Sequence, residues 1–186
     1  WLTLHDVALD WSRSALLSGE VVVNKLTAAE IVLDRLPTNG TATTAPEAGT
    51  FNLPDLPVSI QIGEISADHI VLGPSVLGTG LEATLKASMS LANGEGQAGL
   101  LLQRTDAGPA GKIALTASYA NIGQKLAIDL AAEEAAGGIA STKLNLPGAP
   151  AISLTVKGAG PISDFAAAVG LTTDGVDRLR SEEHTS

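Results

Sequence analysis

The chain of 186 residues has no cysteine, so it can build neither a disulfide framework nor a thiolate metal site. Aromatic residues make up 3% of it and charged residues 17%, and no apolar run reaches the roughly 18 residues of a membrane-spanning helix. Basic residues are scarce: 11 Lys and Arg stand against 20 Asp and Glu, a net charge of −9. Phosphate backbones are bound by clustered Lys and Arg that release counterions, so this balance argues against nucleic acid as a partner. Also lacking are an initiator Met and a positively charged leader before an apolar run. Any signal or anchor is therefore expected upstream of Trp1.

The chain is rich in aliphatic residues. Hydrophobic residues reach 45%, carried by Leu, Ala, Ile and Val, with 20 glycines as punctuation. That is the composition of packed structure, not of a disordered chain. Its strongest internal signal is alternation. Leu81, Ala83, Leu85, Ala87, Met89 and Leu91 alternate without a break against Glu82, Thr84, Lys86, Ser88 and Ser90, which predicts a strand with one apolar face. The same period appears at Val58, Ile60 and Ile62, at Ile113, Leu115, Ala117 and Tyr119, at Leu126, Ile128 and Leu130, and at Ile152, Leu154 and Val156. Turn signals separate them: Asn93-Gly94, Asp106-Ala107-Gly108-Pro109, Asn121-Ile122-Gly123, Gly137-Gly138 and Pro147-Gly148. The spacing predicts an all-β antiparallel meander with one apolar and one wet face, and leaves no room for crossover helices.

Two segments interrupt the rhythm. Residues 37–57 are rich in proline, glycine and threonine and read as a loop or linker between an N-terminal β-hairpin region, 1–36, and a main sheet over 58–178. Residues 163–169 are expected to form a short helix, with Ser163 or Asp164 as N-cap and Gly170 ending it. The last residues, Arg180, Ser181, Glu182, Glu183, His184, Thr185 and Ser186, match codon for codon a common short-read sequencing adapter. Residues 179–186 are accordingly expected to be an artefactual tail, to be set aside from fold reasoning.

The sequence offers few catalytic or metal-binding constellations. His5, His69 and His184 are the only histidines, and none has partners at metal-ligand spacing. Asp68-His69 would fit a Ser/His/Asp arrangement, but no Gly-x-Ser-x-Gly elbow presents a nucleophile, so a solvent-facing polar pair is expected. Glu133 and Glu134 are neighbours on a strand and point to opposite faces, so they cannot flank one bond; a solvated edge is the reading. Gly158-Ala159-Gly160-Pro161-Ile162-Ser163 lacks the third glycine and the βαβ context of a dinucleotide loop, and reads as turn glycines. No cofactor and no enzymatic activity are expected.

Two readings of the apolar face then stay open. The sheet closes into a sandwich or barrel and those residues are its core, or it curls into an elongated half-open groove whose lining is available to acyl chains. Each methylene exposed to water costs about 0.8 kcal/mol, so carrying a chain of about sixteen carbons through water costs on the order of 10 kcal/mol, and a continuous apolar lining removes that barrier.

Several stretches, in order, resemble the early β-repeats of the TamB family, inner-membrane subunits of the translocation and assembly module in the AsmA-like superfamily. They are Val7-Ala8-Leu9-Asp10-Trp11-Ser12 with Ala15-Leu16-Leu17-Ser18-Gly19, residues 26–37, Asp55-Leu56-Pro57-Val58-Ser59-Ile60, His69-Ile70-Val71-Leu72-Gly73 with Val76-Leu77-Gly78, Glu134 with Gly137-Gly138, Leu146-Pro147-Gly148, and Gly158 to Asp164. Ala135 departs from the pattern, which has Pro there. The resemblance spans Val7 to about Arg178. It implies a fragment of an inner-membrane-anchored protein whose periplasmic body bridges the two membranes of a Gram-negative-type envelope. It further implies phospholipid as cargo and a TamA-like outer-membrane barrel subunit as partner, in lipid transport or in assembly of outer-membrane proteins through β-strand pairing. No catalytic residues carry over. On this expectation the groove is lined by Val58, Ile60, Ile62, Leu81, Leu85, Met89, Leu100, Leu102, Ile113, Leu115, Leu126, Ile128, Ile152, Leu154 and Val156.

Overall fold

The computed structural model describes residues 1–36, 52–54 and 56–181. Its strands are β1 (Leu2–Ser12), β2 (Glu20–Leu33), β3 (Ser59–Leu72), β4 (Leu81–Ala92), β5 (Glu95–Arg104), β6 (Gly111–Ala120), β7 (Lys125–Glu134), β8 (Ile152–Pro161), β9 (Ala167–Thr173) and β10 (Val176–Ser181). Two short helices, α1 (Pro74–Leu77) and α2 (Ile139–Lys143), sit in the connections after β3 and β7. All ten strands form one sheet in chain order, and it does not close into a barrel: β1 and β10 are its edges.

Two hairpins of the meander follow directly from their turn residues. Between β4 and β5 the chain reverses in two residues, Asn93 at φ 52° and Gly94 at φ 71°. Both dihedrals are positive, as a type I′ turn requires, and its twist matches that of the flanking strands. Asp174 and Gly175 repeat the device between β9 and β10, with φ 50° and 75°.

The sheet departs from the expected meander at one place, because β2 and β3 run parallel. An antiparallel pair needs only a tight turn, whereas a parallel one needs a connection long enough to travel back along the strands. The Pro-rich stretch supplies that length, although residues 37–51 and 55 of it lie outside the described residues. Pairing in parallel keeps β2 and β3 in one register from Glu20↔Ser59 to Leu33↔Leu72. On β3 the apolar spacing lengthens from two to three residues at Ile62–Ile65 and again at Ala67–Ile70, and at both places the register against β4 shifts. An extra residue in a strand turns the following side chains over. These irregularities return Ile65 and Ile70 to the face that Ile62 and Ala67 occupy.

The expected helix over 163–169 is not formed. A single tight turn spans Ile162–Asp164, Phe165 is extended, and β9 begins at Ala167. Ala167, Val169 and Leu171 pair with Gly158, Val156 and Leu154 of β8. Alternation against a partner strand overrides the helix preference of the Ala166-Ala167-Ala168 run. Gly170, expected as a helix stop, pairs with Thr155 inside the sheet. Gly158 and Gly160 likewise lie within β8, opposite Ile128 and Leu126, and not in a turn. Of the expected adapter-derived tail, Arg180 and Ser181 pair with Gly170 and Val169 at the edge strand, while residues 182–186 lie outside the described residues.

Little of the described chain is deeply buried. The buried hydrophobic residues are Ala28, Ala67, Ile70, Ala83 and Tyr119. Ala67, Ile70 and Ala83 form a compact cluster, with Ile31, Leu72, Leu81, Leu85 and Leu102 packed against it. Two-layer domains bury one face of each layer against the other and accumulate a core of large side chains. Here the core is three small or medium residues where β3 and β4 meet.

Candidate functional site

In a sheet, directly paired residues project to the same side, so the register assembles side chains into rows across the strands. One row reads Val7, Ala28, Ala67, Leu85, Leu102, Ile113, Ala132, Leu154, Leu171 and Leu179, apolar at every strand. The next reads Leu9, Leu26, Ile65, Ala87, Leu100, Leu115, Leu130, Val156 and Val169 before ending at Ser181. With strands about 4.8 Å apart, such a row extends ~43 Å. A third contains Ile62, Met89 and Ile128, and a fourth Ile60, Leu91, Tyr119 and Leu126.

All but one of the residues expected to share an apolar lining therefore stand on one face, Leu81 through its pairing with Leu72 and Ile152 through Glu134. The exception is Val58, which lies in the bend before β3 begins at Ser59. The face also holds residues outside that expectation: Ile65, Ala67, Ile70 and Leu72 of β3, and the apolar residues of β1, β2 and β9. The β3 residues escaped because the slips at 62–65 and 67–70 break the period by which a strand face is read.

The face stays partly open to solvent: Met89 is 40% exposed and Ile113 38%. At the end carrying α1 and α2, Leu77, Ile139 and Leu144 stand over Leu102, Ile113 and Leu154, enclosing a mostly apolar pocket of about 430 Å³. Glu134 builds this roof. Its carboxylate accepts the N–H groups of Ile139 at 2.5 Å, Ala140 at 2.8 Å and Ser141 at 3.4 Å, the free donors at the start of α2. Glu134 is half-buried and Glu133 exposed, so the pair divides between the faces as strand geometry requires. Only Glu133 fits the expected solvated edge; Glu134 is a structural cap with no local motif to announce it.

Arg104 sits at the same end, in the row of Ala83, and its charge is answered locally. Its Nη2 is 2.8 Å from Asp106 Oδ1, and its Nε donates to both Asp106 oxygens at 2.9 and 2.8 Å. Asp106 also accepts the N–H of Glu82 at 3.0 Å and of Gly108 at 2.6 Å. The Arg104 hydrogen bonds foremost, then those from the backbone, hold the Asp106 carboxyl well below the usual carboxylate range, and Asp106 in turn raises Arg104. A carboxyl depressed in the folded state stabilises the fold above its unfolded pKa of about 3.9, and that contribution fades as pH falls toward the folded value. Asp106→Asn is therefore expected to cost about 2 kcal/mol at pH 7, with the gap from the parent protein narrowing below about pH 4. Urea midpoints of both proteins across that range check it.

The opposite, polar face carries the ionic chemistry. His69 lies between two carboxylates, its Nδ1 3.4 Å from Glu30 Oε1 and its Nε2 3.1 Å from Glu82 Oε2, and His5 Nε2 is 3.7 Å from Glu30 Oε2. Both histidine side chains are more than two-fifths exposed. His69 is thus a cross-strand polar partner on the wet face, while Asp68 is exposed to solvent. Lys25 pairs with Glu64 at 3.2 Å and Lys157 with Asp129 at 2.9 Å. The Lys25 hydrogen bond is the main reason that the Glu64 carboxyl titrates below its ordinary value. Among the described residues, no group of three or more His, Asp or Glu is arranged to hold a metal ion, and no helix is long and apolar enough to cross a membrane.

Compared with models of protein families, with curated proteins and with solved structures, the chain has no match.

Proposed function

We propose that the apolar face is an acyl-chain path, and that the chain is a segment of a periplasmic bridge conducting phospholipid between the inner and outer membranes. The observation that carries this reading is the pair of rows that stay apolar across nearly all the strands, on a sheet that does not close upon itself. An uncovered apolar surface of this extent is costly in water unless something apolar occupies it. Curling of the sheet around such an occupant gives a half-open groove, and the charged opposite face keeps the body in solution. The resemblance to TamB-type repeats points to the same function, with a TamA-like barrel at the outer membrane and the anchor upstream.

A second reading rests on the edges. β1 and β10 each have one neighbour in the sheet, so each offers a row of backbone donors and acceptors to an incoming strand, as a scaffold for outer-membrane proteins would. The two readings use different surfaces. Proline at an outward-facing N–H of β1 removes a donor from the edge and leaves the rows unchanged. In the full-length protein, such a variant is expected to keep phospholipid delivery between membranes and to lose capture of nascent strands if the edge has that role. Loss of lipid delivery alone in the edge variant would contradict the acyl-path reading.

A further inference from the structure

Because β2 and β3 are parallel, the chain leaving Leu33 at one end of the strands must return to Ser59 at the other. Just before β3 it passes over the apolar face. A Cβ added to Gly96 would lie 2.9 Å from Leu53 Cδ1, and Gly96 belongs to that face through its partners Leu91 and Tyr119. Leu53 therefore fills the space that the missing side chain of Gly96 leaves.

The backbone of Leu53 is gripped from one side by a single residue. Asn121 Nδ2 donates to the Leu53 carbonyl at 2.9 Å, and the Leu53 N–H donates to Asn121 Oδ1 at 2.8 Å. This is the reciprocal exchange that a hydrogen-bonded residue pair makes between antiparallel strands, supplied here by a side-chain amide. Asn121 is itself seated on the β4–β5 turn. Its N–H donates to the Gly94 carbonyl at 2.9 Å, and a Cβ on Gly94 would come within 2.7 Å of Asn121 Nδ2. The turn glycine thus serves both the hairpin and the grip.

We propose that Leu53 is an internal occupant of the apolar face: a strap, held by Asn121, that competes with acyl chains for the rows at this end of the strands. The inference rests on the reading of that face as an acyl path and adds its regulation. An aliphatic side chain over Gly96 takes the place that acyl methylenes would take, so the face is open at Met89 and blocked at Gly96 until the strap lifts. Two hydrogen bonds of ordinary net strength, about 1–3 kcal/mol together, make the competition worth about five- to a hundredfold in affinity.

Binding of a fluorescent hexadecanoate to the whole chain tests this, together with hydrogen exchange at the Leu53 amide. Asn121→Ala removes the grip, and Leu53→Ser keeps the grip but removes the occupant. Both variants are expected to bind the probe more tightly, Asn121→Ala by about five- to a hundredfold, and Asn121→Ala to speed exchange at Leu53. Unchanged exchange in Asn121→Ala overturns the grip. Probe affinity equal in all three proteins overturns the competition while leaving the acyl reading in place. No probe binding by any form overturns the acyl reading and the strap with it.

Discussion

Asp in place of Leu115 is expected to abolish lipid passage by the full-length protein while leaving it folded and abundant, and Asp in place of Leu85, which packs against the Ala67–Ile70–Ala83 cluster, to abolish it with some loss of stability as well. The two leucines stand in the adjacent rows that run across the sheet, Leu85 between Ala67 and Leu102, and Leu115 between Leu100 and Leu130. Both are only partly covered by the protein, so a carboxylate there stays hydrated while the face is empty and must lose water when an acyl chain arrives. Desolvation of an unpaired charge costs several kcal/mol, and 3 kcal/mol already lowers occupancy about a hundredfold. Lys86 and Thr116 neighbour them in sequence but point to the polar face, where Asp is expected to change lipid delivery little. Delivery of labelled phospholipid between donor and acceptor membranes, read alongside protein abundance, measures all four variants. Equal delivery in the Leu85 and Leu115 variants and their controls would remove those rows from the path.

The second large effect concerns stability. Ile70 is 9% exposed and packs in the cluster with Ala67 and Ala83. Ile70→Ala is expected to cost about 2–4 kcal/mol, because it opens a cavity in a cluster whose members are fixed on four strands, β2 to β5. Met89 is 40% exposed on the same face, and Met89→Ala is expected to cost about 1 kcal/mol. Urea unfolding of the two variants compares them directly. A cost at Met89 equal to that at Ile70 would mean that the face packs against something throughout, as in a closed core, and would count against an open path.

Where a strand carries no irregularity, its face is written in the sequence with a period of two. That is why the apolar residues of β4, β6, β7 and β8 were legible, and the Asn93-Gly94 turn with them. β3 was legible only as far as Ile62. Its slips carry Ile65, Ala67 and Ile70 out of phase, so two of the three residues of the packed cluster, Ala67 and Ile70, were hidden from the alternation that showed the third, Ala83. Strand direction is not encoded in any local pattern, and the parallel pairing of β2 with β3 followed only from the pairing itself. The Ala166-Ala167-Ala168 run looked helical because propensity is local, while the partner that made it a strand lies across the β8–β9 connection. Asp174-Gly175 is a type I′ signal of the same kind as Asn93-Gly94 and was open to the same reasoning. Glu134 and Asn121 were not: one caps residues five to seven positions on, the other grips a residue 68 positions away, and neither distance has a sequence signature.

On an acyl path, lipid touches one face of this sheet and not the other. The most direct test places a photocrosslinking residue at Leu115, and at Thr116 as the outward control, in the full-length protein in living cells. Phospholipid adducts at Leu115 with none at Thr116 are the result expected of an acyl path. An absence of lipid at Leu115 in a folded, abundant protein would contradict it and return the apolar rows to the role of an ordinary protein-covered core.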